Sequence, residues 1–508
     1  AVLFLATSAD RAFELYSNRE AAALYEQLFG VVADHGLAIA DEQRLRWRLR
    51  LAESCFRLGD IVGCRRHGLL AMRLSGNPVP TTVAGQLLGI ARGVGLRLLQ
   101  RWLPSLFHVG DAAERERRLA LTRNLNRLTE AAIYAEDALS CLDLGLRELN
   151  MAEPSGPSPE LGRAYALMAV VLGTIPLHRI SQAWTARALV VSEPAGETVE
   201  LAYALSRVGV YEIYIAEWHR SEVHLRRSIA MATSLGARRL VEECLVVQGL
   251  TLFYSGRLQA PLSLWAESRR SARLTSNAQT LAWTHIADAG CLIRMGHSPE
   301  ALNALNQIEP WVLAHGTRTE RILVHGLLSL ALARTHDYEA AHARANAALV
   351  LVSGRPPVAY WMQHAVAAVC QTYLLLWVRA TEEDGSRERV SDLRRQSRSA
   401  LVALRWFALV FPFGQAHAAL WAGHHAWLAG QPQAARRRWR QAASRAERAG
   451  QPYEQGLALR ALGASSAGDE RQAHLRRAIA LLAGTGASES ATEAERLTTN
   501  NAGPSPLS

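Results

Sequence analysis

Along this chain, apolar positions recur at spacings of three and four residues, and β-branched residues never form the alternating runs that a strand needs. Ala and Leu fill these stretches, which favours helix. The amphipathic stretches come in pairs joined by a short turn signal. It reads Gly256-Arg257, Gly296-His297, Gly430-Gln431 and Gly468-Asp469, with Gly59-Asp60 as an outlying copy. Glu217-Trp218 and His336-Asp337 hold the same place without glycine. Neighbouring copies recur at about 40 residues, between the tetratricopeptide period and the longer helical repeats.

The positions after each turn have a packing logic. Five residues on stands a small or compact residue: Ala301, Ala341, Ala435, Ala473, Pro261 or Cys64. Four further on comes a bulky one in several copies, Trp265, Leu305 and Trp439. Three beyond that, Ala71, Ala348 and Ala442 are small again. These spacings put all of them on one helix face, where small residues let two helices approach and the large one fills the space between hairpins. One hairpin cannot bury such a face, so copies must stack. The fold class expected is all-α, an α-solenoid of stacked hairpins forming a tetratricopeptide-like superhelix.

Helix-stop signals agree: Gly236, Gly316, Gly354 and Gly450 follow second helices as C-terminal caps. Breaks in the rhythm divide the chain into N-terminal hairpins over 1–75, a loop and amphipathic connecting helix over 76–118, and the solenoid over 119–484. The stretch 485–508, rich in Gly, Ser, Thr, Asn and Pro, is expected to be a disordered tail. The connecting run Gln86–Phe107 carries Leu87, Leu88, Ile90, Val94, Leu98, Leu99 and Trp102 with Arg92, Arg97 and Arg101 between them. It fits a membrane surface. It fits neighbouring hairpins as well, and docking there needs no extra assumption.

Composition narrows the chemistry. The chain has 508 residues and no Lys, so all 56 basic side chains are Arg. A Walker A phosphate loop, Schiff-base chemistry and the Ser-x-x-Lys nucleophile are thereby excluded. The net charge is +10, and its mixing with Glu and Asp predicts a solvated surface and argues against nucleic acid as partner. Cys55, Cys64, Cys141, Cys244, Cys291 and Cys370 are widely spaced and read as free, buried thiols of a reducing, cytoplasmic compartment. The most apolar stretches, Ala164–Leu177 with Pro176 and Ala365–Val378 with Gln371, read as buried helices, so no membrane span is expected. The chain begins with Ala1 and without a signal sequence, as a processed protein or a piece of a longer one would.

Three features invite a site. His417 lies two helical turns before His424, which adjoins His425, yet no carboxylate stands at ligand spacing, so packing histidines are expected. In Arg436-Arg437-Arg438-Trp439-Arg440, a stacking platform for nucleic acid competes with a core Trp439 among solvated arginines. The repeat register favours the second. Glu242-Glu243 and Glu382-Glu383-Asp384 read as solvated carboxylates. The sequence predicts no catalytic residue, no metal and no cofactor.

The stretch Ala152-Glu-Pro-Ser-Gly-Pro-Ser-Pro-Glu-Leu-Gly-Arg-Ala-Tyr165, with Leu177-His-Arg179, resembles the C-terminal helical region of large bacterial signalling proteins. These join a class III adenylate/guanylate cyclase domain, an AAA-like ATPase domain and a tetratricopeptide-like tail. Leu15-Tyr-Ser-Asn-Arg-Glu-Ala21, Gln279-Thr-Leu-Ala-Trp283 with Arg294-Met-Gly296, and Gln451-Pro-Tyr-Glu454 with Ala458 and Leu462 extend the resemblance over most of the chain. It implies a non-catalytic protein-interaction and regulatory module, the sensor or scaffold part of a cyclase–ATPase signalling protein. Its partners would be a protein or peptide on the concave face, and upstream ATPase and cyclase domains if the chain is part of a longer one. The alternative is the effector-binding solenoid of an ATPase-type transcriptional regulator.

Overall fold

The structure, a computed structural model, describes residues 2–15, 17–275, 277–383 and 385–499. Every regular element among them is helical. The order begins α1 (Val2–Glu14), α2 (Asn18–Asp34), α3 (Asp41–Leu58), α4 (Ile61–Leu74), α5 (Val83–Trp102), α6 (Pro104–Phe107), α7 (Ala112–Tyr134) and α8 (Ala138–Ala152). It continues through α9 (Pro159–Gly173), α10 (His178–Ser192), α11 (Val199–Tyr214), α12 (Trp218–Ser234), α13 (Arg238–Tyr254) and α14 (Ala260–Thr275). Then come α15 (Ala278–Met295), α16 (Ser298–His315), α17 (Arg318–Arg334), α18 (Tyr338–Val352), α19 (Gln363–Glu382) and α20 (Arg387–Val410). The last are α21 (Gln415–Leu428), α22 (Pro432–Arg448), α23 (Pro452–Ser465), α24 (Gly468–Thr485) and α25 (Ser488–Thr499). Odd-numbered members from α13 to α23 are buried on nearly every side, whereas their even-numbered partners bury one stripe. We call these inner and outer helices.

The chain divides into two compact units. The first holds the residues up to Leu172, His178–Val208 and Ser234–Arg239; the second holds Gly173–Leu177, Gly209–Thr233 and the residues from Leu240 on. The stretch 119–484, expected as one solenoid, is therefore shared between them. The connecting segment also ends earlier than expected, because α7 already starts at Ala112.

The outer-helix stripe follows the predicted spacing. Pro261, Trp265, Ser268 and Ala272 on α14 are buried, as are Ala301, Leu305, Ile308 and Val312 on α16, and Ala435, Trp439, Ala442 and Ala446 on α22. Opposite the bulky member stands a glycine of the inner helix. A Cβ on Gly249 would lie 2.1 Å from Trp265 Nε1, and one on Gly423 would lie 2.4 Å from Trp439 Cδ1. The indole therefore occupies the volume of the missing side chain, and close packing leaves nowhere for it to go.

Two register corrections follow. The left-handed residue of each turn stands at Ala216 (φ 63°), Gly256 (φ 80°), Gly296 (φ 96°) and His336 (φ 67°), forty residues apart. The member before Gly256 is thus Ala216, not Glu217. In α24, Arg471, Leu475, Ala478 and Leu482 are buried while Ala473 is exposed, so the Gly468 copy is displaced by two residues. Several even-numbered helices open with an Asp cap after the left-handed residue. Asp60 accepts from Gly63 N at 2.8 Å, Asp137 from Ser140 N at 3.1 Å, and Asp337 from Ala340 N at 3.2 Å, each satisfying an otherwise orphan amide. Of the expected helix-stop glycines, Gly236, Gly354 and Gly450 are left-handed, while Gly316 is extended at φ −68°.

The segment after Gly484, expected to be disordered, forms α25 over Ser488–Thr499. Its Ala491, Ala494 and Leu497 are buried, and Leu497 joins a small core with Ala464 and Leu475. Three apolar residues at helical spacing are enough when a stacked neighbour covers them, a cue that Ser, Thr and Glu obscure in the sequence. Residues 500–508 lie outside the described residues. Within the second unit, elements far apart in sequence meet: Leu258 N donates to Thr485 O at 3.3 Å, Ser488 Oγ to Met295 O at 3.1 Å, and Arg334 pairs with Glu489 at 3.2 Å.

Ala216 adopts a conformation that costs an L-residue roughly 1–2 kcal/mol. Replacing it with glycine, Ala216→Gly, is expected to raise unfolding free energy by about 1 kcal/mol in urea denaturation. A loss of stability would show that the turn does not carry this strain.

Candidate functional site

Both units place ionisable groups on inner helices, but they satisfy them differently. In the first unit, Arg127 on α7 donates to both Glu53 oxygens at 2.7 and 2.9 Å and to Glu130 at 2.9 Å. Arg163 reaches Glu130 at 3.4 Å and lies 3.9 Å over the Tyr203 ring. Burial opposes ionisation of Glu53, yet Arg127 overrides it and holds the carboxyl down to about 2. Glu148 accepts from the Asn126 amide at 2.8 Å, and burial pushes its carboxyl up to about 8. This network is structural: Arg127 neutralises Glu53 and Glu130 with short bonds, while Glu148 Oε2 and Arg163 Nε are left without an aligned partner among the described residues.

In the second unit, the polar groups converge with fewer partners. Arg294, near the end of α15, stands 3.0 Å from Glu454 of α23. Its guanidinium lies over Phe253 at 4.0 Å and over Tyr453 at 4.6 Å. His417 of α21 approaches the same Glu454 oxygen at 3.5 Å. On α19, His364 Nδ1 faces Tyr254 OH at 3.0 Å, and Tyr254 packs on Phe413 with ring centroids 4.8 Å apart. Arg294 Nη1, His364 Nε2 and His417 Nδ1 are buried without an aligned hydrogen-bond partner in the chain. Buried polar groups are rarely left so, which marks this cluster as the candidate site.

Electrostatics set the charge states. Burial drives His364 down to about 3, with Arg294 adding to the effect, and it holds His417 well below its ordinary value, so both rings are neutral. Burial raises Glu454 against the pull of Arg294. The centre can accept and donate hydrogen bonds around one ion pair. It contains no nucleophile–base pair, and among the described residues no group of three His, Cys, Asp or Glu stands together as a metal site.

The sequence did not single out this centre. Its two charged members do fall in segments that carried the resemblance, Arg294-Met-Gly296 and Gln451-Pro-Tyr-Glu454, which the fold brings into contact. A second signal was available: in the apolar helix α23 only Glu454 and Arg460 are charged.

The histidines of α21 part company. His417 joins the polar centre, His424 lies 5.2 Å from both Trp421 and Trp439, and His425 packs on Trp377 at 5.5 Å. Trp439 is fully buried. Arg436 reaches inward to the Ser465 carbonyl of α23, while Arg437, Arg440, Arg445 and Arg448 line a shallow groove with Gln441 and Ser444. The positive charge is not evenly spread, as expected, but concentrated. Helices α20, α22 and α24 together carry fifteen Arg against five acidic residues, an excess equal to the whole net charge of +10. Glu242, expected to be solvated, is buried and accepts from Ser271, Thr275 and Asn277 at 2.7–2.9 Å, and its neighbour Glu243 is also buried. The six cysteines are buried and unbridged. Among the described residues no helix is long and apolar enough to cross a membrane.

No protein-family model matches the chain, and no curated protein does. Solved structures superpose distantly. A Rap protein complexed with Competence and Sporulation Factor is 11% identical, covering 88% of this chain and 98% of that one, with a TM-score of 0.44. Aspartyl phosphate phosphatase F from Bacillus subtilis is 12% identical over 79% and 94%, with a TM-score of 0.43. Yeast Tom70 is 10% identical over 98% and 99%, with a TM-score of 0.31. Likenesses of this order assign no function, partner or site to the chain.

Glu454→Gln leaves Arg294 buried without a counter-charge and is expected to cost about 3–5 kcal/mol in urea denaturation. The double variant Glu454→Gln/Arg294→Met should recover most of that loss; no recovery would mean that the ion pair is not the cause. The histidines predict a pH dependence. Their folded pKa values lie below the unfolded one, so the native state binds fewer protons and stability falls as pH drops from about 6.5 towards 3. His424→Phe should flatten that fall by at most one proton, about 1.4 kcal/mol per pH unit, read as unfolding free energy across pH 4–7. An unchanged slope would show that His424 titrates normally.

Proposed function

We propose that this chain is a non-catalytic protein-binding and regulatory module, acting as the sensor or scaffold part of a cyclase–ATPase signalling protein. The observation that carries the reading is the division between filled inner helices and a strongly cationic outer face. In the second unit Tyr254 packs on His364 and Phe413, and Arg294 packs on Phe253, so the inner helices are filled where they meet. We therefore assign partner contact to the outer face of α20, α22 and α24 in place of the concave side. Fourteen Arg of these helices that are not buried, against five acidic residues, select an acidic protein surface, and electrostatic complementarity of this kind governs association rate and partner choice. The buried Arg294–Glu454 centre supplies the regulatory element: a buried pair whose loss is costly couples the packing of α15 to that of α23.

The rival reading, the effector-binding solenoid of an ATPase-type transcriptional regulator, draws on the same arginines. Salt-dependent binding of DNA by the purified chain would favour it.

An antibody to this segment, blotted against source cells, is expected to detect a band far above 55.7 kDa, the mass of this chain. A band near that mass removes the cyclase–ATPase part of the proposal. In the longer protein, Arg437→Glu/Arg440→Glu/Arg445→Glu is expected to weaken partner binding by about tenfold or more and to change nucleotide turnover. Unchanged binding and turnover would end the assignment of this face.

A further inference from the structure

The connecting helix α5 is packed inside out. The residues it buries are Gln86, Gly93 and Gln100, seven apart, and not its leucines. Gln86 Nε2 donates to Ser140 Oγ at 2.8 Å, Asn150 Nδ2 to Gly93 O at 2.8 Å, and Gln100 Nε2 to Asn150 O at 2.9 Å. Glycines bring the backbones close: a Cβ on Gly89 would stand 2.3 Å from Asp143 Oδ1, and one on Gly93 would stand 3.1 Å from Leu146 Cβ. Arg97 is fastened to Glu153 at 2.8 Å. A polar seam against α8 thus fixes the rotation of α5 and holds its apolar side outward.

That side is large. Leu88 is 72% exposed, Trp102 74% and Leu106 of α6 74%, with Leu87, Leu98 and Leu99 between. At about 100° per residue, Leu87, Leu98, Ala91, Trp102, Leu88 and Leu99 span an arc of about 120°. Arg92 borders one edge of this arc and Arg101 the other, both exposed. No Asp or Glu occurs between residues 83 and 107. Contiguous exposed apolar surface of this kind marks an interaction site.

We infer that α5 and α6 form a docking face for an anionic lipid bilayer, with α5 lying in the plane of the headgroups. The leucines and Trp102 enter the acyl boundary, while the two bordering arginines extend to phosphate oxygens on either side. Charge complementarity selects this occupant. A second copy of the chain offers no carboxylate in this segment to meet Arg92 or Arg101. One helix face about 30 Å long and about 10 Å wide also buries only about 300 Å² per partner, well below the roughly 800 Å² of a stable protein interface.

The test is co-sedimentation of the purified full chain with vesicles of phosphatidylcholine alone or mixed equally with phosphatidylglycerol. Binding to the anionic vesicles is expected, and Arg92→Gln/Arg101→Gln should weaken it by about thirtyfold. Leu88→Ser/Leu99→Ser/Trp102→Ser should weaken it by about a hundredfold or more with an unchanged circular dichroism spectrum, because none of these side chains is part of the buried core. The inference is overturned if the chain stays in the supernatant with anionic vesicles, or if binding ignores both variants. It is equally overturned if light scattering finds a dimer that the leucine variant dissociates while vesicles bind neither form.

Discussion

The fold rests on one packing constraint that recurs in several hairpins: a bulky side chain of the outer helix enters the space left by a missing side chain on the inner helix before it. Gly249 with Trp265 and Gly423 with Trp439 show it at its tightest, sixteen residues apart in both hairpins. A methyl group at either glycine would overlap the indole, so the interaxial distance is set by glycine and the lateral position by tryptophan. Small residues at neighbouring stripe positions, Ala301 on α16, Ala341, Ala345 and Ala348 on α18, and Ala435 and Ala442 on α22, let the helices approach closely. The forty-residue turn register serves the same end, since a turn one residue longer would rotate the whole stripe away from its glycine.

Because hairpins stack this closely, inner helices lose contact with water on nearly all sides, and every ionisable group on them becomes an energetic problem. The two units solve it differently. Around Glu130 and Arg127, short bonds from one guanidinium neutralise two carboxylates, and a longer contact from Arg163 adds to them. Around Arg294 and Glu454 the charges balance but hydrogen-bonding capacity is left over, at the meeting point of α15, α19, α21 and α23. An under-satisfied centre of this sort is costly and polarises its surroundings, which makes it the place where packing is most easily biased.

The outer surface shows the opposite economy. Its positive charge gathers on three consecutive outer helices of the second unit, and its apolar excess gathers on a single helix of the first. Neither improves the core. α20, α22 and α24 would stack as well with fewer arginines, and α5 would be more stable with its leucines turned inward. Surface of this composition is explained by what meets it from outside.

By itself the sequence determined the class of structure. Three-and-four spacing, small–bulky–small alternation and a forty-residue period leave stacked helical hairpins as the only way to bury those faces, and the absence of lysine removes whole classes of chemistry. Those are local or additive properties, legible in order along the chain. Tertiary structure alone decided the rest. It joined Arg294 to Glu454, 160 residues apart, turned α5 so that its glutamines face inward, ordered Ser488–Thr499 against a neighbour, and divided the repeat between two units. Each depends on which surfaces stacking brings together. A helix carries a periodicity in its sequence, but it does not carry the identity of the partner that covers it.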